Sequence, residues 1–69
     1  MTIAQETSMD AARRLAAGAL RDGFRFEALH AYADRDANPL YWRIRAKHPA
    51  TGKKWIRPMT LTGNGYELR

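Results

Sequence analysis

Cysteine is absent from this chain of 69 residues, and no apolar run approaches the ~20 residues that a membrane-spanning helix requires. The missing cysteines exclude disulfides, thiolate nucleophiles and cysteine-based zinc sites. Their absence is also typical of proteins from a reducing compartment. The N-terminal residues have neither the basic start nor the apolar core of a signal peptide. We therefore expect a cytoplasmic protein with no membrane partner.

Groups suited to catalysis or metal binding are also scarce. The chain has only two histidines, His30 and His48, and neither lies near a candidate nucleophile in the sequence. Asp34 and Asp36 stand two apart in a loop, where aspartates more often form turns than bind metals. We therefore predict that the protein is not an enzyme, with no catalytic residues, no metal and no cofactor.

Acidic residues are few in number. Seven aspartates and glutamates stand against 12 lysines and arginines, which gives a formal net charge of +5 and a pI near 10.3. An excess of positive charge favours polyanionic partners. The candidates are nucleic acid and an acidic protein.

The N-terminal third of the chain has the composition of a helix. Thr7 or Ser8 can cap its start, Asp10 suits its first turn, and Gly23 stands where a C-terminal cap glycine is expected. The intervening residues are mostly strong helix formers. The sequence predicts a helix over residues 8–22, with residues 1–7 frayed.

After Gly23 the apolar period changes from helical to alternating. In the first run, FRFEALHAY, the alternation is expected to place one set on the core side, Phe24, Phe26 and Ala28, and the other on the opposite side, Arg25 and Glu27. Runs of alternating residues are separated by the turn-forming stretches DRDANP, HPATGK and LTGNG. Short connections join antiparallel neighbours, so residues 24–69 are predicted to form a β-meander. The whole chain, residues 1–69, is predicted to be one small α+β domain, with one N-terminal helix packed on a three- to four-stranded antiparallel sheet.

The alternation divides the central strand into two faces. Leu40, Trp42, Ile44 and Ala46 alternate with Tyr41 and three cations. Burying three unpaired cations would cost several kcal/mol each, so the apolar set is expected to face the helix. In the next strand Ile56 is the best core candidate, which would place Trp55 and Arg57 beside the cations. The predicted nucleic-acid-binding residues are Tyr41, Arg43, Arg45, Lys47, Lys53, Lys54, Trp55 and Arg57.

Cations that neutralise phosphates and rings that stack on bases are the two ingredients of single-strand binding. Three segments add a family resemblance: YADRDANPLYWRIR, KWIRPM and GYEL. With them, residues 24–68 resemble a segment that precedes the Toprim catalytic domain in primase/helicase-type proteins of phages and plasmids. Ala37 stands where that pattern has a glycine. The resemblance implies a DNA- or RNA-handling module of mobile-element replication, without the acidic Toprim residues that would lie downstream.

Three alternatives remain open for the basic-aromatic face. Its cations could be merely solvated, or paired with Glu27 and Asp36, while Trp55 packs over their aliphatic stems. The face could instead dock on an acidic protein, as in a phage or plasmid inhibitor or assembly subunit, since Arg, Trp and Tyr also dominate protein interfaces. An edge strand near Pro58 could also pair two copies of the chain into a homodimer.

Overall fold

The computed structural model describes residues 6–69, and the predicted fraying of residues 1–5 lies outside this range. A helical segment is followed by four strands that pair antiparallel in the order β1-β2-β3-β4. This confirms the predicted α+β fold, with an N-terminal helical segment packed on a β-meander. The elements are α1 (Ser8–Leu15), α2 (Ala17–Arg21), β1 (Arg25–Ala33), β2 (Pro39–Lys47), β3 (Lys54–Thr62) and β4 (Gly65–Leu68).

Helix α1 begins at the predicted cap. The backbone N–H of Asp10 donates to the hydroxyl of Thr7 at 3.1 Å, which satisfies one of the free donors of the first turn. The predicted single helix is interrupted at Ala16, whose φ of −88° and ψ of 3° separate α1 from α2. The backbone still carries a bond from Leu20 N to Ala16 O at 2.9 Å, so the interruption is a local irregularity. Within residues 6–69, neither helix is long and apolar enough to cross a bilayer.

Helix α2 ends in the predicted glycine cap. Gly23 has a φ of +98°, and its N–H donates to Leu20 O at 3.2 Å while Phe24 N donates to Ala19 O at 3.1 Å. This pair of bonds is the Schellman motif, which requires a left-handed residue after the helix. The motif turns the chain directly into β1.

One face of the sheet, here called the inner face, is covered by the helices. The helices contribute small side chains, which allow close approach, and the sheet contributes the large ones. Around the core lie partly buried hydrophobic residues that include Leu29, Trp55 and Tyr66. The buried core residues are Ala11, Ala12, Ala16, Ala19, Trp42, Ile44, Ala46 and Met59.

The prediction for β3 is wrong in its choice of face. Met59 is fully buried and pairs with Trp42. Residues that lie two positions apart in a strand point to the same face of the sheet. Trp55 and Arg57 therefore share the inner face with Met59, and Trp55 packs against the core. Ile56, the expected core residue, is 43% exposed on the opposite face. The burial of Met59 fixes the register of the whole strand.

The prediction for β1 is correct only up to a β-bulge. Phe26 pairs with Ala46, but Ala28 rather than Glu27 pairs with Arg45. The extra residue reverses the alternation beyond it. Ala28, expected inside, lies on the outer face with Arg45, and its neighbour Leu29 packs against the core instead.

Strand β3 continues through Pro58 rather than ending there. The carbonyl of Pro58 accepts a bond from Arg69 N at 2.9 Å, so its backbone polar groups face away from β2. The missing N–H of the proline therefore costs the β2–β3 ladder nothing. Because β4 begins to pair only at Met59, residues 54–57 of β3 form an edge.

Arg14 connects helix α1 to strand β4 through hydrogen bonds. Arg14 makes two bonds to the carboxylate of Glu6, at 2.8 and 2.9 Å, and a third to the carbonyl of Tyr66 at 3.3 Å. The hydrogen bond from Arg14 holds the pKa of Glu6 below its ordinary value and raises the pKa of Arg14, against a smaller opposing effect of desolvation. Arg14 therefore connects Glu6 and helix α1 to strand β4.

Candidate functional site

The sheet face opposite the helices carries most of the cations of the strands. Cross-strand register places Lys47 between Arg25 and Lys54, and Arg43 between His30 and Pro58. Paired residues of neighbouring strands point to the same face. We call this surface the basic outer face, and it comprises Arg25, His30, Tyr32, Tyr41, Arg43, Arg45, Lys47 and Lys54.

A pair of tyrosines forms one end of the basic outer face. Tyr32 and Tyr41 are cross-strand partners, and their rings are stacked with centroids 4.8 Å apart and planes 10° apart. The guanidinium carbon of Arg43 lies 5.4 Å from the centroid of the Tyr32 ring, within cation–π range. Tyr32 remains 37% exposed. The pair is an aromatic platform with a cation beside it.

Arg45 lies in the middle of the basic outer face with an incomplete set of partners. Its Nε is 3.8 Å from a carboxylate oxygen of Glu27, beyond hydrogen-bonding distance. The same Nε atom is buried and makes no hydrogen bond to any of residues 6–69. Glu27 is therefore a loose counter-ion for Arg45.

The other cations of this face have no counter-ion in the described part of the chain. Within residues 6–69, no carboxylate lies within 4.0 Å of Arg25, Arg43, Lys47 or Lys54. Lys47 instead faces a cation on both neighbouring strands, and like charges opposite each other are destabilising. A bound polyanion would relieve this repulsion.

The structure brings together only part of the predicted set. Tyr41, Arg43, Arg45, Lys47 and Lys54 share the basic outer face. Lys53 lies in the β2–β3 turn next to Lys54, where its carbonyl accepts a bond from His48 N at 2.8 Å. Trp55 and Arg57 were expected on this face, and they lie on the other because the register of β3 is set by Met59.

The contribution of β1 was missed by the sequence analysis. The bulge at Glu27 carries His30 and Tyr32 to the basic outer face, where simple alternation would have placed them inside. Both are exposed, although His30 stands between the apolar residues Leu29 and Ala31. The pairing of Tyr32 with Tyr41 was the available clue, because aromatic residues often face each other across antiparallel strands.

The β1–β2 loop is organised by Asp34. Its carboxylate accepts bonds from the backbone N–H of Asp36 at 2.9 Å and of Asn38 at 3.0 Å, and from the side chain of Asn38 at 3.3 Å. The backbone bond from Asn38 is the main cause that lowers the pKa of Asp34. Among residues 6–69, no group of three or more His, Cys, Asp or Glu side chains is placed to hold a metal ion.

Comparison with protein-family models, curated proteins and solved structures finds no match to the chain. The resemblance of residues 24–68 to the segment that precedes Toprim domains therefore stays a prediction. The site has to be interpreted from its own geometry and charge.

Proposed function

We propose that the chain is a small non-catalytic module that binds single-stranded DNA or RNA through the basic outer face. One observation carries the proposal: five cations and a stacked tyrosine pair share a sheet face that neither α1 nor α2 covers. Such a face offers phosphate contacts and a stacking platform together. The resemblance to segments of primase/helicase-type proteins supports a role in the replication of phages or plasmids.

Each end of the basic outer face has a distinct role in this proposal. Tyr41 and Tyr32 stack on bases, and stacking is worth roughly 1–3 kcal/mol per base. Lys47 marks the cationic end, about 20 Å from Tyr41 along β2 at ~3.3 Å per residue. A single-stranded nucleic acid that extends between these two ends would contact Arg43 and Arg45. The phosphate-binding cations are Arg25, Arg43, Arg45, Lys47 and Lys54, with Lys53 at the adjoining turn.

The partly exposed tyrosine pair favours single strands over duplex. In duplex DNA the bases are already stacked on each other, so only the phosphate contacts would remain available to a flat sheet. Splayed bases of a single strand can instead stack on Tyr32 and Tyr41. We expect a single strand to bind more tightly than a duplex of the same length.

The experiment is fluorescence anisotropy of a dye-labelled oligothymidylate over a series of salt concentrations. An external dye is needed because Trp42 and Trp55 both lie on the inner face. Arg43→Gln should weaken binding and reduce the slope of log K against log salt by about 0.7, the loss of one phosphate contact. Arg57→Gln is the matched control, since it removes the same charge from the opposite face of the sheet. Equal effects of the two substitutions would contradict the proposed face.

Tyrosine substitutions test the stacking role separately. Tyr41→Leu should cost roughly 1–3 kcal/mol of binding free energy, whereas Tyr41→Phe keeps the ring and should bind nearly as well as the wild type. Absence of any binding to the oligonucleotide at low salt would overturn the proposed function. Pull-down with acidic protein partners would then be the next step.

A further inference from the structure

The bulge in β1 places an acidic side chain where the proposed function would not predict one. Glu27 is the extra residue between the pairs Phe26–Ala46 and Ala28–Arg45. Bulges often redirect a side chain next to a functional site. Here the bulge brings the Glu27 carboxylate to Arg45, at the centre of the basic outer face.

The pair that results is poorly made as a salt bridge. The distance of 3.8 Å between Arg45 Nε and the Glu27 carboxylate gives attraction without a hydrogen bond. Both side chains are more than a third exposed, at 38% and 39%, so solvent screens the attraction. Meanwhile the buried Nε–H of Arg45 has no acceptor in the described part of the chain, which is costly for a charged donor.

We propose that Arg45 is a phosphate subsite of the basic outer face and that the Glu27 carboxylate competes with phosphate for Arg45. The carboxylate lies near the guanidinium in the free protein and leaves when a phosphate oxygen takes its place. Phosphate is the better partner, because it can accept two parallel bonds from an arginine fork and carries more charge. The role of the site rests on the proposed function, but its recognition of phosphate can be tested without nucleic acid.

The first test uses inorganic pyrophosphate and the side-chain Nε–H signals of arginine in ¹H–¹⁵N NMR spectra. The Arg45 signal should shift as pyrophosphate is added. Glu27→Gln should lower the pyrophosphate concentration at the midpoint of this shift by about twofold to fivefold, the range expected for loss of a weak surface ion pair. Glu67→Gln is the matched control. Glu67 lies on β4, where it pairs with Thr60 of β3, so the substitution removes the same charge from the same sheet face at a position away from Arg45. It should change the midpoint less than Glu27→Gln does.

Two results would overturn the inference. One is an Arg45 signal that does not respond to pyrophosphate in either variant. The other is an equal gain from Glu27→Gln and Glu67→Gln, which would mean that only net charge matters. In an Arg45→Gln background, where pyrophosphate binding is followed through the backbone N–H signals, the gain from Glu27→Gln should disappear, and its persistence would also count against the pair.

Oligonucleotide binding by the same variants separates this inference from the proposed function. Tighter binding of oligothymidylate by Glu27→Gln than by the wild type and Glu67→Gln would support both. If Glu27→Gln alone binds pyrophosphate more tightly than the wild type, and no variant binds the oligonucleotide, the subsite would be supported and the proposed function overturned. Oligonucleotide binding that is the same in Glu27→Gln and the wild type would overturn the competitor role and leave the proposed function standing.

Discussion

Ala46 and Trp55 lie directly opposite each other in the β2–β3 ladder, the alanine fully buried and the indole packed against the core. A small residue on one strand leaves room for a large ring on the next, as close packing requires. The indole therefore covers the edge of the core and is turned away from the cations of the basic outer face. Its first role is in stability.

Trp55→Ala should lower the free energy of unfolding by about 1–3 kcal/mol, since a partly buried indole is lost from the core. Ile56→Ala is the control, because Ile56 is the next residue on the same strand and lies 43% exposed on the opposite face. It should cost less than about 1 kcal/mol. Urea denaturation followed by circular dichroism measures both. A larger loss for Ile56→Ala would contradict the register of β3.

Ala37→Gly should stabilise the protein. Ala37 has a φ of +65° in the β1–β2 loop, and a left-handed conformation costs an L-residue roughly 1–2 kcal/mol. Glycine removes that cost but adds flexibility to the unfolded chain, so we expect a net gain of about 0.5–1 kcal/mol. Ala33→Gly, in a strand with negative φ, should instead destabilise by a similar amount. Thermal unfolding of the two variants gives shifts of opposite sign.

Gly23→Ala should destabilise the protein more than Gly52→Ala does. Both glycines have positive φ, +98° and +74° respectively. A Cβ on Gly23 would also lie 2.8 Å from Nε2 of His48, whereas a Cβ on Gly52 meets nothing within 4 Å. Gly52→Ala therefore measures the conformational cost, about 1–2 kcal/mol, and the excess for Gly23→Ala measures the contact with His48. Equal losses in urea denaturation would argue against that contact.

Acid should destabilise the protein in part through Asp34. Its pKa is lowered from an ordinary value of 3.8 by the bonds that it accepts. A carboxyl with a lowered pKa in the folded state contributes stability above its unfolded pKa, and the contribution is lost as the pH falls through the folded pKa. The free energy of unfolding should therefore fall between about pH 5 and pH 2, and less steeply in Asp34→Asn.

Asp36→Asn is the control for the acid experiment. It removes a charge from the same loop, but within the described residues the Asp36 side chain accepts no hydrogen bond. Urea denaturation at a series of pH values should show the wild-type dependence in this variant. A pH dependence of Asp34→Asn as steep as that of the wild type would contradict the role of the Asp34 carboxylate.

Alternation in the sequence predicted β2 well from Tyr41 to Lys47 and β3 badly, for a physical reason. Leu40, at the start of β2, was expected to face the helix but is 57% exposed. Strand β2 has three cations on one side and Trp42 and Ile44 on the other. Only the side with Trp42 and Ile44 can face the helices without burying charge. In β3 the apolar residues fall on both sides, so Ile56 alone is a poor guide. The combined burial of Trp55 and Met59 outweighs that of Ile56. Considering Met59 with Trp55 would have predicted the correct face.

Local patterns in the sequence predicted the helix caps but not the β-bulge. The caps at Thr7 and Gly23 follow from residue chemistry and were predicted. The bulge at Glu27 has no such indication, because neither glycine nor proline marks it, and it depends on how β1 fits against β2. The half of the candidate site that β1 contributes therefore became visible only in the fold.

The bond from Arg14 to the carbonyl of Tyr66 joins residues 52 positions apart, and it bears on the order of events during synthesis. A ribosome releases α1 early and β4 late, so the alanine-rich face of α1 must wait for part of its packing surface. The hairpins of the meander, in contrast, can form as each strand emerges, because every strand pairs with its neighbour in sequence. Docking of the helix is therefore expected to be the closing step of folding.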